Sequence, residues 1–427
     1  MKKFAALLLS MLMVVSLCAC GDAPASVDNN TNASVDSTSS VEDNTDASVE
    51  NDTEVSTNIK VGFIFLHDEN STYDKNFLEA AKEACANLGI AEENVLIKTN
   101  IPETDACYEA ACELADAGCS FVFADSFGHE PYLMEAAKEY SDIQFCHATG
   151  TNAHTAGLDN FHNAFASIYE GRYLAGIAAG LKLNEMIAAG DITEEEAVMG
   201  YVGAFTYAEV ISGYTSFYLG AKSVCPSVTM KVTFTGSWYD EAAEKEAANT
   251  LISKGCVLVS QHADSMGAPT ACETAKVPNV SYNGSTASVA PETFIVSSRI
   301  NWVPYFEYAI AATANGSAID TDWTGTIATG SVELTEFGTA AAEGTVEAVE
   351  AAKAELVAGT LHVFNTANFT VDGAAVDSYM ADVDSDEAYT PDHEAIKDGY
   401  FAESSDRSAP YFDLKIDGIE LLDVNFG

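Results

Sequence analysis

The chain carries 65 Asp and Glu against 19 Lys and Arg over 427 residues, a formal net charge of −46. Such a balance argues against nucleic acid as a partner, because proteins that bind phosphate backbones draw their affinity from Lys and Arg. Neutral or cationic small molecules remain, and the length suits two lobes with a core each.

Residues 1–20 do not read as part of the fold. Lys2 and Lys3 precede an apolar run, Phe4–Leu17, that is short for a membrane span. It ends in Leu17-Cys18-Ala19-Cys20-Gly21, which resembles a bacterial lipobox. The resemblance implies cleavage before Cys20 and lipidation of its thiol; the alternatives are an ordinary secretory signal or a retained apolar anchor. Residues 21–58 hold nine acids, no Lys or Arg, and a loose Ala-Ser-Val-Asp/Glu repeat. Apolar residues are too sparse there for a core, so a disordered acidic tether is expected.

The folded part opens with an apolar run, Val61–Leu66, then a polar turn over His67–Thr72. Phe77, Leu78, Ala81, Ala84 and Leu88 then mark one stripe of a helix. Ser71 with Asp74 three residues later predicts a reciprocal cap at its start. The grammar repeats. Strands are predicted over 94–97, 120–124 and 143–147, helices over 104–117 and 130–140, and a long helix over 165–183. After a break at Gly190-Asp191 come strands over 198–205, 229–235, 256–260, near Tyr282 and over 294–299. Helices over 209–221, 240–253, 268–275 and 302–315 separate them. A mixed C-terminal part follows, taking in 326–330 and 360–369, and 412–416 has short strand character. Alternating strands and helices predict an α/β protein of two Rossmann-like lobes with parallel sheets and right-handed crossovers. The expected bounds are 59–160 for lobe 1, with part of 285–318, and 161–284 for lobe 2, completed by 319–427.

Ligands of such sheets sit beyond the carboxyl ends of the strands, so the loop after the first strand is the first candidate contact. Eight cysteines beyond the front segment are irregularly spaced and mostly stand where Ala or Val would serve, which predicts small buried thiols. Six histidines (67, 129, 147, 154, 162 and 262) fall in no metal-binding spacing. A GxSxG elbow, a GxGxxG after the first strand and a P-loop are all missing from the sequence. Neither cofactor nor metal is expected.

Several segments, taken in order, resemble a known family. They are Val61-Gly62-Phe63-Ile64, Ile168-Tyr169-Glu170-Gly171-Arg172-Tyr173-Leu174-Ala175-Gly176, Tyr201-Val202-Gly203-Ala204-Phe205 with Glu209-Val210-Ile211-Ser212-Gly213, Trp238-Tyr239-Asp240, Gln261-His262-Ala263-Asp264-Ser265 and Asn301-Trp302-Val303-Pro304-Tyr305-Phe306. Over roughly residues 60–315 the chain is similar to the basic membrane lipoprotein family, the substrate-binding proteins of ABC importers for nucleosides or purines. The resemblance implies a type I periplasmic binding protein fold, with crossover strands joining lobes that close over a ligand. It implies that Tyr73, beside Asp74 and Phe77, stacks on the base. Here Asp74-Lys75-Asn76-Phe77-Leu78 stands where nucleoside binders carry an Asp-x-Ser-Phe-Asn-like segment, and Leu78 replaces the amide, which leans toward free purines. It further implies Asp125 as acceptor of a base edge, Phe205 as the stacking aromatic of the second lobe, and Trp238 and Asp264 at strand mouths. Asn283 stands near a ribose-holding Asp of the family, and Arg299 near its Lys.

A flat heterocycle needs aromatic faces and polar partners for its edge, and stacking is worth roughly 1–3 kcal/mol per base. Each candidate also has a plain structural alternative: Phe77 and Phe205 as core, Asp125 as a cap, Arg299 as an ion pair. The expectation is a lipid-anchored, extracytoplasmic, monomeric binding protein that delivers a purine base or nucleoside to a permease. The alternatives are a sugar or peptide receptor, a ligand-sensing surface lipoprotein, or a nucleoside hydrolase-like enzyme.

Overall fold

The computed structural model describes residues 58–383 and 393–424. Cys20, the expected lipidation site, and nearly all of the expected acidic tether lie outside the described residues, as does most of the acidic segment 382–387.

The first lobe holds β1 (Lys60–Ile64), α1 (Thr72–Asn87), β2 (Val95–Lys98), α2 (Asp105–Asp116), β3 (Cys119–Ala124), α3 (Glu130–Glu139), β4 (Gln144–Ala148), α4 (Ala153–Ala156) and β5 (Phe161–Ala166). The second runs through α5 (Ile168–Ala189), β6 (Val198–Gly203), α6 (Ala208–Val224), β7 (Thr229–Phe234), α7 (Glu241–Ser253), β8 (Leu258–His262), α8 (Gly267–Ala275), β9 (Asn279–Tyr282) and β10 (Phe294–Ile300). Then come α9 (Val303–Asn315), β11 (Asp322–Gly325), β12 (Val332–Leu334) and α10 (Thr345–Val357). Four two-residue strands, β13 to β16, occupy Met380–Ala381, His393–Glu394, Ile396–Lys397 and Tyr400–Phe401, and β17 is Ile419–Leu421.

The first sheet is ordered β11-β5-β4-β3-β1-β2 and the second β12-β10-β9-β8-β6-β7-β17. Pairing is parallel throughout both, except for β12 against β10. The cores of the two sheets share one strand order, β2-β1-β3-β4-β5 in the first and β7-β6-β8-β9-β10 in the second. The chain passes between lobes at Ser167, at Asn301-Trp302 and over 326–331. This is the two-lobed α/β architecture of type I periplasmic binding proteins, and it puts the carboxyl ends of both sheets at the cleft.

Local chemistry explains the elements. Ser71 caps α1: its Oγ accepts from the Asp74 N–H and donates to Asp74 Oδ2 at 2.6 Å, but the expected reciprocal bond is not made, because the Ser71 N–H donates to the Asp68 carbonyl at 3.1 Å. Thr104 and Asp240 cap α2 and α7 by accepting from the N–H groups of Ala106 and Ala243. The small residues of α5 let it lie against α6 with backbone contact. A Cβ on Gly176 would meet the Phe217 carbonyl at 2.1 Å, and one on Gly220 would meet that of Tyr173 at 2.0 Å.

Some expectations are corrected. Phe165 and Ala166 belong to β5, a strand the sequence reading gave no place, and α5 begins only at Ile168. In the mixed C-terminal part, residues 327–330 form a turn that follows β11. β11 pairs with β5, so the first sheet draws on residues past the expected bound at 318, while β10 pairs within the second sheet. Residues 412–416 are not a strand, whereas β17 adds to the edge of β7. All eight cysteines named above are free thiols, seven buried and Cys112 half-buried. Among the described residues, no helix is long and apolar enough to cross a membrane.

Candidate functional site

The lobes meet through direct contacts. The Thr72 N–H and Oγ1 donate to the Asp264 carbonyl at 3.1 and 3.2 Å. Phe127 stacks on Tyr207, with centroids 5.1 Å apart and planes at 30°. Between these contacts lies a small inner cavity of about 20 Å³, room for about one water with the lobes this close. Its walls are the residues that follow strand ends. Leu66 and His67 follow β1, Ser126 and Phe127 follow β3, and Thr149 follows β4, while Tyr73 and Asp74 come from α1. The second lobe adds Glu209 from α6, Trp238 after β7, His262 at the end of β8, Asp264 just beyond it, and Tyr282 at the end of β9.

Four of the nine residues singled out in the sequence line this cavity: Tyr73, Asp74, Trp238 and Asp264. Phe205 lies behind them, stacked on Tyr207 (5.1 Å, 18°) and edge-on to Trp238 (5.0 Å, 67°). Asp125 is fully buried one layer down, and its carbonyl accepts from the Tyr73 hydroxyl at 2.8 Å. Phe77 is also fully buried, stacked on Trp302 at 4.4 Å inside the first core, because it sits on the apolar stripe of α1. Asn283 and Arg299 line a separate hollow with Thr72 and Asn76, where Arg299 Nε lies 3.2 Å from Glu333.

The acids differ in state. Burial raises Asp74, but hydrogen bonds from His67 and Ser71 outweigh it and hold the carboxyl below its ordinary value. One oxygen accepts from the His67 N–H at 2.7 Å. Burial, and then the charge of Asp74, pushes Asp125 well above the carboxylate range. Asp264 is also pushed well above it, by burial first and then by the charges of Asp74, Glu244 and Glu209.

A polar relay underlies the second lobe's wall. Arg172 of α5 is fully buried and donates to the Tyr201 hydroxyl and, at 2.9 Å, to the Gln261 carbonyl. The Tyr201 hydroxyl lies 3.3 Å from His262 Nδ1, and His262 Nε2 lies 3.4 Å from Glu209. Burial lowers His262, with Glu209 opposing and Arg172 assisting, so the ring is neutral. Tyr282 lies over the same guanidinium, 4.9 Å from its ring centroid. The Tyr282 hydroxyl is buried with no hydrogen-bond partner among the described residues. Sequence reasoning nominated neither Glu209, His262, Tyr282 nor Phe127. The signal available was position at or just after the strands flanking β1 and β6, the switch points of both sheets.

A family model described as ABC transporter substrate-binding protein PnrA-like matches residues 61–363. The chain belongs to this family. It is a solute-binding protein, not a catalyst, and the fold agrees with that assignment. One relative, a purine-binding protein of Brucella abortus, is 31% identical over 262 residues, covering 61% of this chain and 70% of its own length. A putative ABC transporter glucose-binding protein of Haloferax volcanii is 30% identical over 253 residues, covering 59% of this chain and 61% of its own length, less than two thirds. Among solved structures, a solute-binding protein of an ABC transporter from Aeropyrum pernix aligns with a TM-score of 0.60 at 17% identity, covering 72% of this chain and 93% of that one. One from Conexibacter woesei aligns at 0.58 and 19%, covering 71% and 98%. At these identities the two structures speak to fold alone. The family match stops at residue 363.

Proposed function

We propose that this chain captures a purine base or nucleoside in the inner cavity and delivers it to a membrane permease, anchored by a lipid on Cys20 and acting as a monomer. The observation that carries the reading is the make-up of the cavity wall. Trp238, Tyr73 and Phe127 offer flat faces, Asp264 and Glu209 offer acceptors for N–H groups, and neither Lys nor Arg lines it. A heterocycle with several N–H donors matches such a wall, and acceptors left without donors in a closed cleft are costly. The name carried by the Brucella relative points the same way.

A sugar is the second reading, favoured by the name of the Haloferax relative and by the fact that aromatic faces beside carboxylates also suit pyranose rings. Calorimetric titration of the full-length protein in detergent, refolded to remove carried ligand, separates the two. The panel is adenine, hypoxanthine, guanine, their nucleosides, glucose and ribose. One-to-one binding of a purine, weakened by Trp238→Ala, supports the first reading. Heat from glucose or ribose alone overturns it. Retention of a Cys20→Ser variant in the membrane fraction would count against the anchor.

A further inference from the structure

Tyr282 is the one wall residue of the inner cavity whose polar atom is buried and left without any partner among the described residues. Buried polar groups in folded proteins nearly always find a partner, so an orphan that lines a cavity marks where a ligand atom belongs. A phenol can donate or accept, and its surroundings decide which. The Arg172 guanidinium lies 4.9 Å from the ring centroid, and burial, with Glu209 beside it, raises the phenol well above its ordinary value against the pull of Arg172, so the hydroxyl keeps a proton to donate. His262 packs 4.3 Å from the same ring and spends its nitrogens on Tyr201 and Glu209, so it does not compete for the hydroxyl. The Asp264 and Glu209 carboxyl groups share the cavity and present acceptors.

We infer that the cavity is built for a lactam edge, a ring N–H beside a ring carbonyl, with the Tyr282 hydroxyl donating to the carbonyl oxygen and the Glu209 carboxylate accepting from the N–H. The inference rests on the purine reading above and narrows it to 6-oxopurines, such as hypoxanthine or guanine, over 6-aminopurines. An aminopurine reverses the edge: its exocyclic group donates where Tyr282 donates, and its ring nitrogen accepts where Glu209 accepts. A mismatch that leaves buried groups unpaired is discriminated strongly.

The test is titration of the full-length protein in detergent with hypoxanthine against adenine, and with inosine against adenosine as the same pair of rings carrying a sugar. The wild type is expected to prefer each oxo ring at least tenfold. Tyr282→Phe is expected to lose that preference, with hypoxanthine weakened about tenfold or more and adenine changed less than threefold. Because the hydroxyl has no partner in the unliganded protein, Tyr282→Phe should keep or raise the melting temperature without ligand. A clear fall in that temperature means the hydroxyl is satisfied internally and overturns the inference. Purine binding with no oxo preference, or a preference that survives Tyr282→Phe, overturns it and leaves the purine reading standing. Silence from all four ligands overturns both.

Discussion

The two walls of the cleft are built on the same strand order, yet they treat their polar groups differently. On the first lobe, Asp74 accepts from the His67 N–H and from Ser71, and stays below its ordinary pKa despite burial. On the second, Asp264 is raised by burial and neighbouring charge, and the Tyr282 hydroxyl stands alone. The first wall is complete without a ligand and the second is not. One side is framework and the other is where ligand free energy is gained, a distinction that residue type alone does not reveal.

Removing each aspartate breaks this comparison most directly. Asp264→Ala should weaken purine binding about 100-fold, in line with about 1–3 kcal/mol for a buried ligand group left without its partner, with little loss of thermal stability. Asp74→Ala should do the reverse: calorimetry should show a melting temperature lower by several degrees, and titration a smaller affinity loss than Asp264→Ala gives. Equal effects on both quantities from both variants would erase the distinction. Next in size, Trp238→Ala should cost about 10- to 100-fold in affinity if its ring stacks on the ligand.

Acidity sharpens the comparison further. Glu244 and Glu403, both buried, are raised by burial from 4.5 to about 7. A carboxyl raised on folding holds its proton more tightly in the native state. Its stabilisation is therefore full below the unfolded pKa near 4.5 and is lost as pH rises toward 7. Thermal melts should show lower stability at pH 8 than at pH 5, and Glu244→Gln should flatten that slope. The smallest effect belongs to the neighbouring hollow. Arg299 is a partly exposed partner of Glu333, and Arg299→Gln should change purine affinity less than threefold in the same titration.

Much of the fold was legible in the sequence because period and capping agree along most of it. Ser71, Thr104 and Asp240 mark helix starts that the structure keeps, and the apolar runs at β1, β3, β6 and β10 are strands. β5 escaped because His162 and Asn163 interrupt its apolar pattern. Their partners, Gln144 and the Asp320 carbonyl for one and Glu130 for the other, are known only after folding. The site was legible by half. Trp238 and Asp264 follow strand ends where the family pattern places contacts. Glu209 looked like an ordinary first-turn helix acid and Tyr282 like a buried strand residue. Arg172, quoted within a segment, gave no hint of the layer it occupies beneath them.

The pairing of β17 with β7 has a consequence for the order in which the molecule is completed. Asp423, just past β17, accepts from Thr233 Oγ1 and from the Phe234 N–H across 190 and 189 residues of sequence. A chain made from its N-terminus therefore carries β7 as an open sheet edge until residues 419–423 emerge. Open edges recruit other strands. The second lobe cannot complete its sheet before β17 arrives, and a chain cut short of Ile419 leaves that edge exposed permanently.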